Sequence, residues 1–125
     1  MKDEDYKAKL SPEAYQVCRF AATERPFTGI YNDHWEKGVY HCACCEQPLF
    51  SSEAKFNSGC GWPSYYQSIG NQVSYREDHS HGMSRIEITC AHCDSHLGHV
   101  FDDGPDPTGK RYCVNSLSLH FKQSD

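Results

Sequence analysis

The clearest alternation of apolar and polar positions is Arg85-Ile86-Glu87-Ile88-Thr89, which predicts a half-buried strand with Ile86 and Ile88 on one face. Val73-Ser74-Tyr75-Arg76 alternates in the same way, and Gly38-Val39-Tyr40-His41 is a short β-prone run. Near the end of the chain Leu117, Leu119 and Phe121 alternate with Ser118 and His120, so a final strand is expected there. One segment carries helical spacing. Tyr15, Cys18 and Ala22 fall on one face behind Ser11 as N-cap and Pro12 at the first helical position. Residues 24–37 hold Pro26, Gly29, Asn32 and Asp33 and read as a loop anchored by Phe27 and Trp35. Segments 57–63 and 103–109 are Gly/Pro-rich loops. Residues 1–10 are expected to form a flexible tail and 11–125 a single domain, mainly β with a short N-terminal helix.

One internal repeat sharpens this picture. Cys42-Ala43-Cys44-Cys45-Glu46-Gln47-Pro48-Leu49 aligns with Cys90-Ala91-His92-Cys93-Asp94-Ser95-His96-Leu97, and both read Cys-Ala-x-Cys-acid-x-x-Leu. A predicted strand enters each turn. The repeat pairs Cys44 with His92, which makes Cys44 the odd thiol. Two Cys-x-x-Cys turns supply the four ligands of one tetrahedral zinc: Cys42, Cys45, Cys90 and Cys93. Four thiolates close the coordination shell, so such a metal is structural. The competing reading is four unconnected thiols or two redox pairs.

Composition narrows the partners. Net charge is −5 and no Lys/Arg run is present, which argues against a phosphate-neutralising nucleic-acid binder. No stretch approaches the roughly 18 apolar residues of a membrane span. The charged start, Met1-Lys2-Asp3-Glu4-Asp5-Tyr6-Lys7, lacks the apolar run of a signal peptide, so a cytoplasmic location is expected. In a reducing compartment eight cysteines favour metal and catalysis over disulfides.

Four zinc ligands leave Cys18, Cys44, Cys60 and Cys113. Cys60 sits between Gly59 and Gly61, a backbone that permits close approach. Cys113 follows Arg111 by two residues, on the same face of a strand, where a cation favours the thiolate. Cys113 is equally readable as a small buried hydrophobe, and Cys18 on its apolar helix face is best read that way. His96 and His99 stand as catalytic candidates or as core histidines of the knuckle.

Several strings together are more specific: Ser58-Gly59-Cys60-Gly61-Trp62-Pro63-Ser64, Ser80-His81-Gly82-Met83, His96-Leu97-Gly98-His99-Val100-Phe101, Asp103-Gly104-Pro105 and Arg111-Tyr112-Cys113-Val114-Asn115-Ser116. In order and density this strongly resembles the MsrB family, the peptide methionine-R-sulfoxide reductases, over about Ser11 to Phe121. The four Cys-x-x-Cys cysteines match its zinc-containing branch. The resemblance implies two antiparallel sheets in a β-tent and one structural zinc. It implies an oxidoreductase in which Cys113 is the nucleophile and Cys60 the resolving cysteine. His99 and Asp103, with His96 beside them, would orient and protonate the sulfoxide oxygen. Arg111 would hold the acidic network, Asn115 falls in the catalytic set, and Trp62 would wall off the substrate methyl group. Thioredoxin is the implied reductant, oxidised protein the implied substrate, and a monomer the expected state. Cys44 departs from the pattern, and Cys18 is an alternative resolving thiol. Two rivals stand beside this. A non-enzymatic zinc-ribbon binding module explains the repeat but leaves Cys60, Cys113 and the histidine pair unused. A hydrolase using a metal on His96 and His99 needs an open metal position that four thiolates do not leave.

Overall fold

The computed structural model describes residues 7–123, less the side chain of His81. The tail expected over residues 1–10 falls largely outside these residues. Within them, Leu10 packs against the core and the Lys9 ammonium donates to the Cys44 carbonyl at 2.9 Å.

Helix α1 runs Pro12–Phe20. Its start follows the sequence logic: the Ser11 hydroxyl accepts from the Ala14 N–H at 3.1 Å, and proline opens the first turn. Its end does not. Ala21 caps the helix in the left-handed region (φ 57), which leaves Ala22 beyond it. The buried face is therefore Ala14, Val17 and Cys18 rather than Tyr15, Cys18 and Ala22.

Nine strands follow. β1 (Gly38–Cys42), β2 (Pro48–Ser51) and β9 (Leu119–Gln123) form a three-stranded sheet in the order β2-β1-β9. β3 (Lys55–Phe56), β4 (Ser64–Tyr65), β5 (Val73–Asp78), β6 (Arg85–Cys90), β7 (His96–Phe101) and β8 (Arg111–Val114) form a six-stranded sheet in the order β3-β4-β8-β7-β6-β5. Every pairing is antiparallel. This is the expected mainly-β fold of two antiparallel sheets; besides α1, residues 7–9 are helical among the described residues. Tyr40, Phe50 and Tyr65 fill the space between the sheets, with Phe50 and Tyr65 stacked at 4.4 Å.

Three local expectations need correcting. Ile86 is 37% exposed while Ile88 is fully buried, because the sheet face is covered only toward the knuckle end of β6. The last strand begins at Leu119. Residues Ser116–Ser118 form a 3-10 turn that carries the chain from one sheet to the other, and the Ser118 hydroxyl donates to the His96 carbonyl at 2.8 Å. Phe27 and Trp35 are not anchors, at 68% and 51% exposed. Tyr31 takes that role, with its ring 5.4 Å from Tyr40 and its hydroxyl accepting from the Phe121 N–H at 3.0 Å.

Candidate active site and metal centre

The repeat folds as two superimposable turns. In each, the N–H after the second cysteine returns to the first cysteine's carbonyl: Glu46 to Cys42 at 2.9 Å, Asp94 to Cys90 at 2.8 Å. Both of those residues are left-handed, at φ 68 and φ 64. Leu49 and Leu97 are both fully buried beneath the turns. The first turn leaves β1 and the second leaves β6, so the centre joins the two sheets. The sulfurs of Cys42, Cys45, Cys90 and Cys93 lie within 4.8 Å of one another. Cys42 to Cys93 and Cys45 to Cys90 are each 3.5 Å. A tetrahedral ion with bonds of about 2.3 Å to sulfur needs edges of about 3.8 Å, so these four could hold a metal ion. Cys44 is fully buried outside this quartet, and the thiol of Cys18 donates to the Leu117 carbonyl at 3.8 Å.

The second sulfur site is built on the larger sheet. Cys113 on β8 stands opposite His99 on β7 and Ser64 on β4. Opposed residues of an antiparallel pair share a face. β7 carries one extra residue against β6 at Leu97, and this irregularity turns His96 and His99, three apart, to the same face. Their rings lie 5.7 Å apart. β7 and β8 approach closely at Gly98, where a Cβ would meet the Cys113 carbonyl oxygen at 1.9 Å.

Cys60 enters from the loop before β4. Its sulfur lies 3.2 Å from that of Cys113. Both open onto a cavity of about 270 Å³ whose lining includes Trp62, His99, Phe101 and Arg111. The Trp62 indole is held by the Glu24 carbonyl at 3.0 Å. Asn115, 3% exposed, accepts from the Glu24 N–H at 3.0 Å and donates to the Leu97 carbonyl at 3.0 Å. It lines the cavity while tying the segment after α1 to β7.

Other candidates sit further back. His96 is 5% exposed, bonded through Nδ1 to Glu87 at 2.6 Å, and does not line the cavity. Burial lowers its pKa, against the pull of Glu87. Asp103 does not line the cavity either. It takes a two-pronged bond from Arg111, at 2.9 and 3.2 Å, which holds its carboxyl below the usual range. The carboxylate on His99 is Asp78, at the end of β5, 2.8 Å from Nε2. That bond holds the Asp78 carboxyl below its ordinary value, and Arg85, a cavity-lining cation, bonds the same carboxylate at 3.3 Å. Asp78 was missed because nothing in its own strand's alternation points toward His99; only the pairing of β5, β6 and β7 does.

The two thiols share charge unequally. Cys60 is pulled down to about 4, first by the Cys113 thiol and then, against burial, by Ser58 and Ser64. Cys113 is pushed far up by its bond to Cys60 and by burial. Arg111 favours the Cys113 thiolate as its position in the sequence suggests, but Cys60 outweighs it. Both effects favour negative charge on Cys60 and the proton on Cys113.

Residues 10–123 match the SelR domain. A peptide methionine sulfoxide reductase MsrB from Thioalkalivibrio sulfidiphilus is 64% identical over 121 residues, covering 96% of this chain and 88% of that protein. The chain belongs to the MsrB family of peptide methionine sulfoxide reductases. A second MsrB, from Alteromonas mediterranea, is 60% identical over 98% of this chain and 87% of its own. MsrB of Pseudomonas putida strain W619 is 59% identical, with 98% and 92% covered. The Mis18 'Yippee-like' domain shares the fold alone, with a TM-score of 0.58 and 20% identity over 72% of this chain and 99% of that one.

Proposed function

We propose that this MsrB chain reduces the R epimer of peptide-bound methionine sulfoxide through a Cys113 sulfenic acid and a Cys60–Cys113 disulfide. The observation that carries this is the 3.2 Å contact between the two sulfurs at the wall of a mostly apolar cavity. Methionine sulfoxide has an electrophilic sulfur and a basic oxygen. Transfer of the shared proton to Cys60 leaves a Cys113 thiolate facing the substrate. The thiolate attacks the substrate sulfur while His99, oriented by Asp78, protonates the oxygen. The new bond between the sulfurs and the substrate S–O bond then break as the hydroxyl passes to the Cys113 sulfur, which leaves a sulfenic acid and releases methionine. The Cys60 sulfur then attacks the Cys113 sulfur, the S–O bond breaks, and water and a disulfide form. Thioredoxin, a dithiol, exchanges with that disulfide and restores both thiols.

Selectivity follows from the cavity lining. Trp62 takes the terminal methyl group, and His99 and Arg111, the latter stacked on Phe101 at 4.4 Å, fix the oxygen, so the third substituent has one direction left. His96 and the Glu87 carboxylate buttress His99 from below. Asp103 holds Arg111 in place, and Asn115 holds the cavity wall.

The four thiolates of Cys42, Cys45, Cys90 and Cys93 would hold one zinc, which ties the sheets and leaves no open position for substrate. A non-enzymatic zinc-ribbon module would use these four sulfurs and leave the Cys60–Cys113 contact without a role. The reading includes a monomeric, cytoplasmic enzyme with residues 11–125 as one catalytic unit. No helix among the described residues is long and apolar enough to cross a membrane.

An epimer-resolved assay on dabsylated methionine sulfoxide with thioredoxin tests the proposal. The R epimer should be consumed and the S epimer left. Equal loss of both, or no turnover, overturns it.

A further inference from the structure

We propose that Ser58 and Ser64 are positioning residues for disulfide formation, their hydroxyls cradling the Cys60 sulfur so that it meets the Cys113 sulfenic acid. This rests on the cycle proposed above.

The Ser58 hydroxyl donates to the Cys60 sulfur at 3.0 Å, and the Ser64 hydroxyl, which donates to the Trp62 carbonyl at 3.1 Å, has its oxygen 3.4 Å from the same sulfur. The two hydroxyl oxygens are 2.7 Å apart, so they act as one connected pair. The Cys60 N–H donates back to the Ser58 oxygen at 3.3 Å, which occupies a lone pair and turns the Ser58 proton toward sulfur. Ser64 is 1% exposed and stands opposite Cys113 across β4 and β8, so its position is set by the same strand that carries the nucleophile. Gly59 and Gly61 are both left-handed, at φ 77 and φ 98, and curl the loop so that Cys60 folds back onto the two serines. Gly61 has no space for a side chain, since a Cβ would lie 2.6 Å from the Pro26 Cβ.

The chemistry needs such a cradle. Cys60 must attack as a thiolate, and donors aimed at its sulfur favour that form. As the S–S bond forms, the sulfurs close from 3.2 Å to about 2.05 Å, and the departing hydroxide takes a proton to become water. A sulfur held by the Ser58 hydroxyl and flanked by Ser64 stays within 3.2 Å of its target.

The test uses Ser58→Ala, Ser64→Ala and Ser58→Thr in the full chain. A peptide bearing R-methionine sulfoxide is turned over once without reductant, and methionine release and thiol loss are followed separately. In either alanine variant the ratio of disulfide formation to methionine release should fall at least about tenfold, the equivalent of one pH unit in thiolate availability. In a Cys113→Ala background the midpoint of Cys60 alkylation should move up by about one pH unit when Ser58 is removed. Ser58→Thr, which keeps the hydroxyl, should restore both readouts. An unchanged ratio, an unshifted midpoint, or a threonine variant as poor as alanine overturns the proposal. If no methionine is released at all, the reductase reading fails, and the alkylation midpoint still decides the role of the serines.

Discussion

Two clusters of cysteine sulfur lie in this chain, and they are built in opposite ways. Cys45 and Cys90 are 45 positions apart, and Cys60 and Cys113 are 53 apart, so both sites close loops of similar length. In the metal centre each half is fixed locally. A left-handed residue and two backbone hydrogen bonds shape each turn, and docking the two sheets only brings finished halves together. In the Cys60–Cys113 pair neither half is fixed locally. Cys113 is placed by pairing with β4 and β7, and Cys60 by a loop hinged on two glycines. The first arrangement turns four sulfurs toward one point, where they could hold an ion. The second leaves both sulfurs open to a cavity, 3.2 Å apart.

The sharpest way to break this contrast is to remove one sulfur from each site. Cys113→Ser should cut reduction on the order of 10⁴-fold or more, since a serine alkoxide does not form near neutral pH. Metal content and the thermal midpoint should stay as they are. Turnover near wild type would place the nucleophile elsewhere.

Cys90→Ser should do the reverse and remove the fold itself. A structural zinc contributes on the order of 10–16 kcal/mol, comparable to the whole stability of a domain this size. Metal analysis should show loss of the ion, and the melt should lose its cooperative transition. An unaltered melt with full metal would contradict a clamp between the sheets.

The contrast also explains how much could be read from sequence. The metal centre was legible because its halves are local. The spacing Cys-Ala-x-Cys-acid-x-x-Leu carries ligands, turn residue and buried leucine in one repeat, and it singled out Cys44 correctly. The helix start was legible for the same reason, through Ser11 and Pro12. The redox site was legible only as a resemblance, because what places Cys113 near His99 and Cys60 is pairing between strands far apart in sequence. β7 carries no simple alternation, since the extra residue at Leu97 breaks the period and puts His96 and His99 on one face. Asp78, which holds His99, was invisible for that reason. Phe27 and Trp35 misled because a large aromatic in a loop is no sign of burial; Trp35 instead lies under the Lys55 ammonium at 3.7 Å.

A smaller effect sharpens the line between buried support and working chemistry. Burial lowers the pKa of His96 below its ordinary 6.5. Below that pH the unfolded chain takes up a proton that the folded chain refuses, so stability contributed by neutral His96 is present above pH 6.5 and lost as pH falls. Urea midpoints of wild type should therefore drop more steeply from pH 7 to pH 5 than those of His96→Gln, which does not titrate. Parallel slopes would mean that His96 is not held neutral by the fold.

The most direct test is a single turnover by Cys60→Ser with an R-sulfoxide peptide, followed by mass analysis of the enzyme. The account predicts one methionine released per chain and one added oxygen atom on Cys113, with no disulfide. Methionine release that leaves Cys113 unmodified, or an oxygen atom found on another residue, would contradict it.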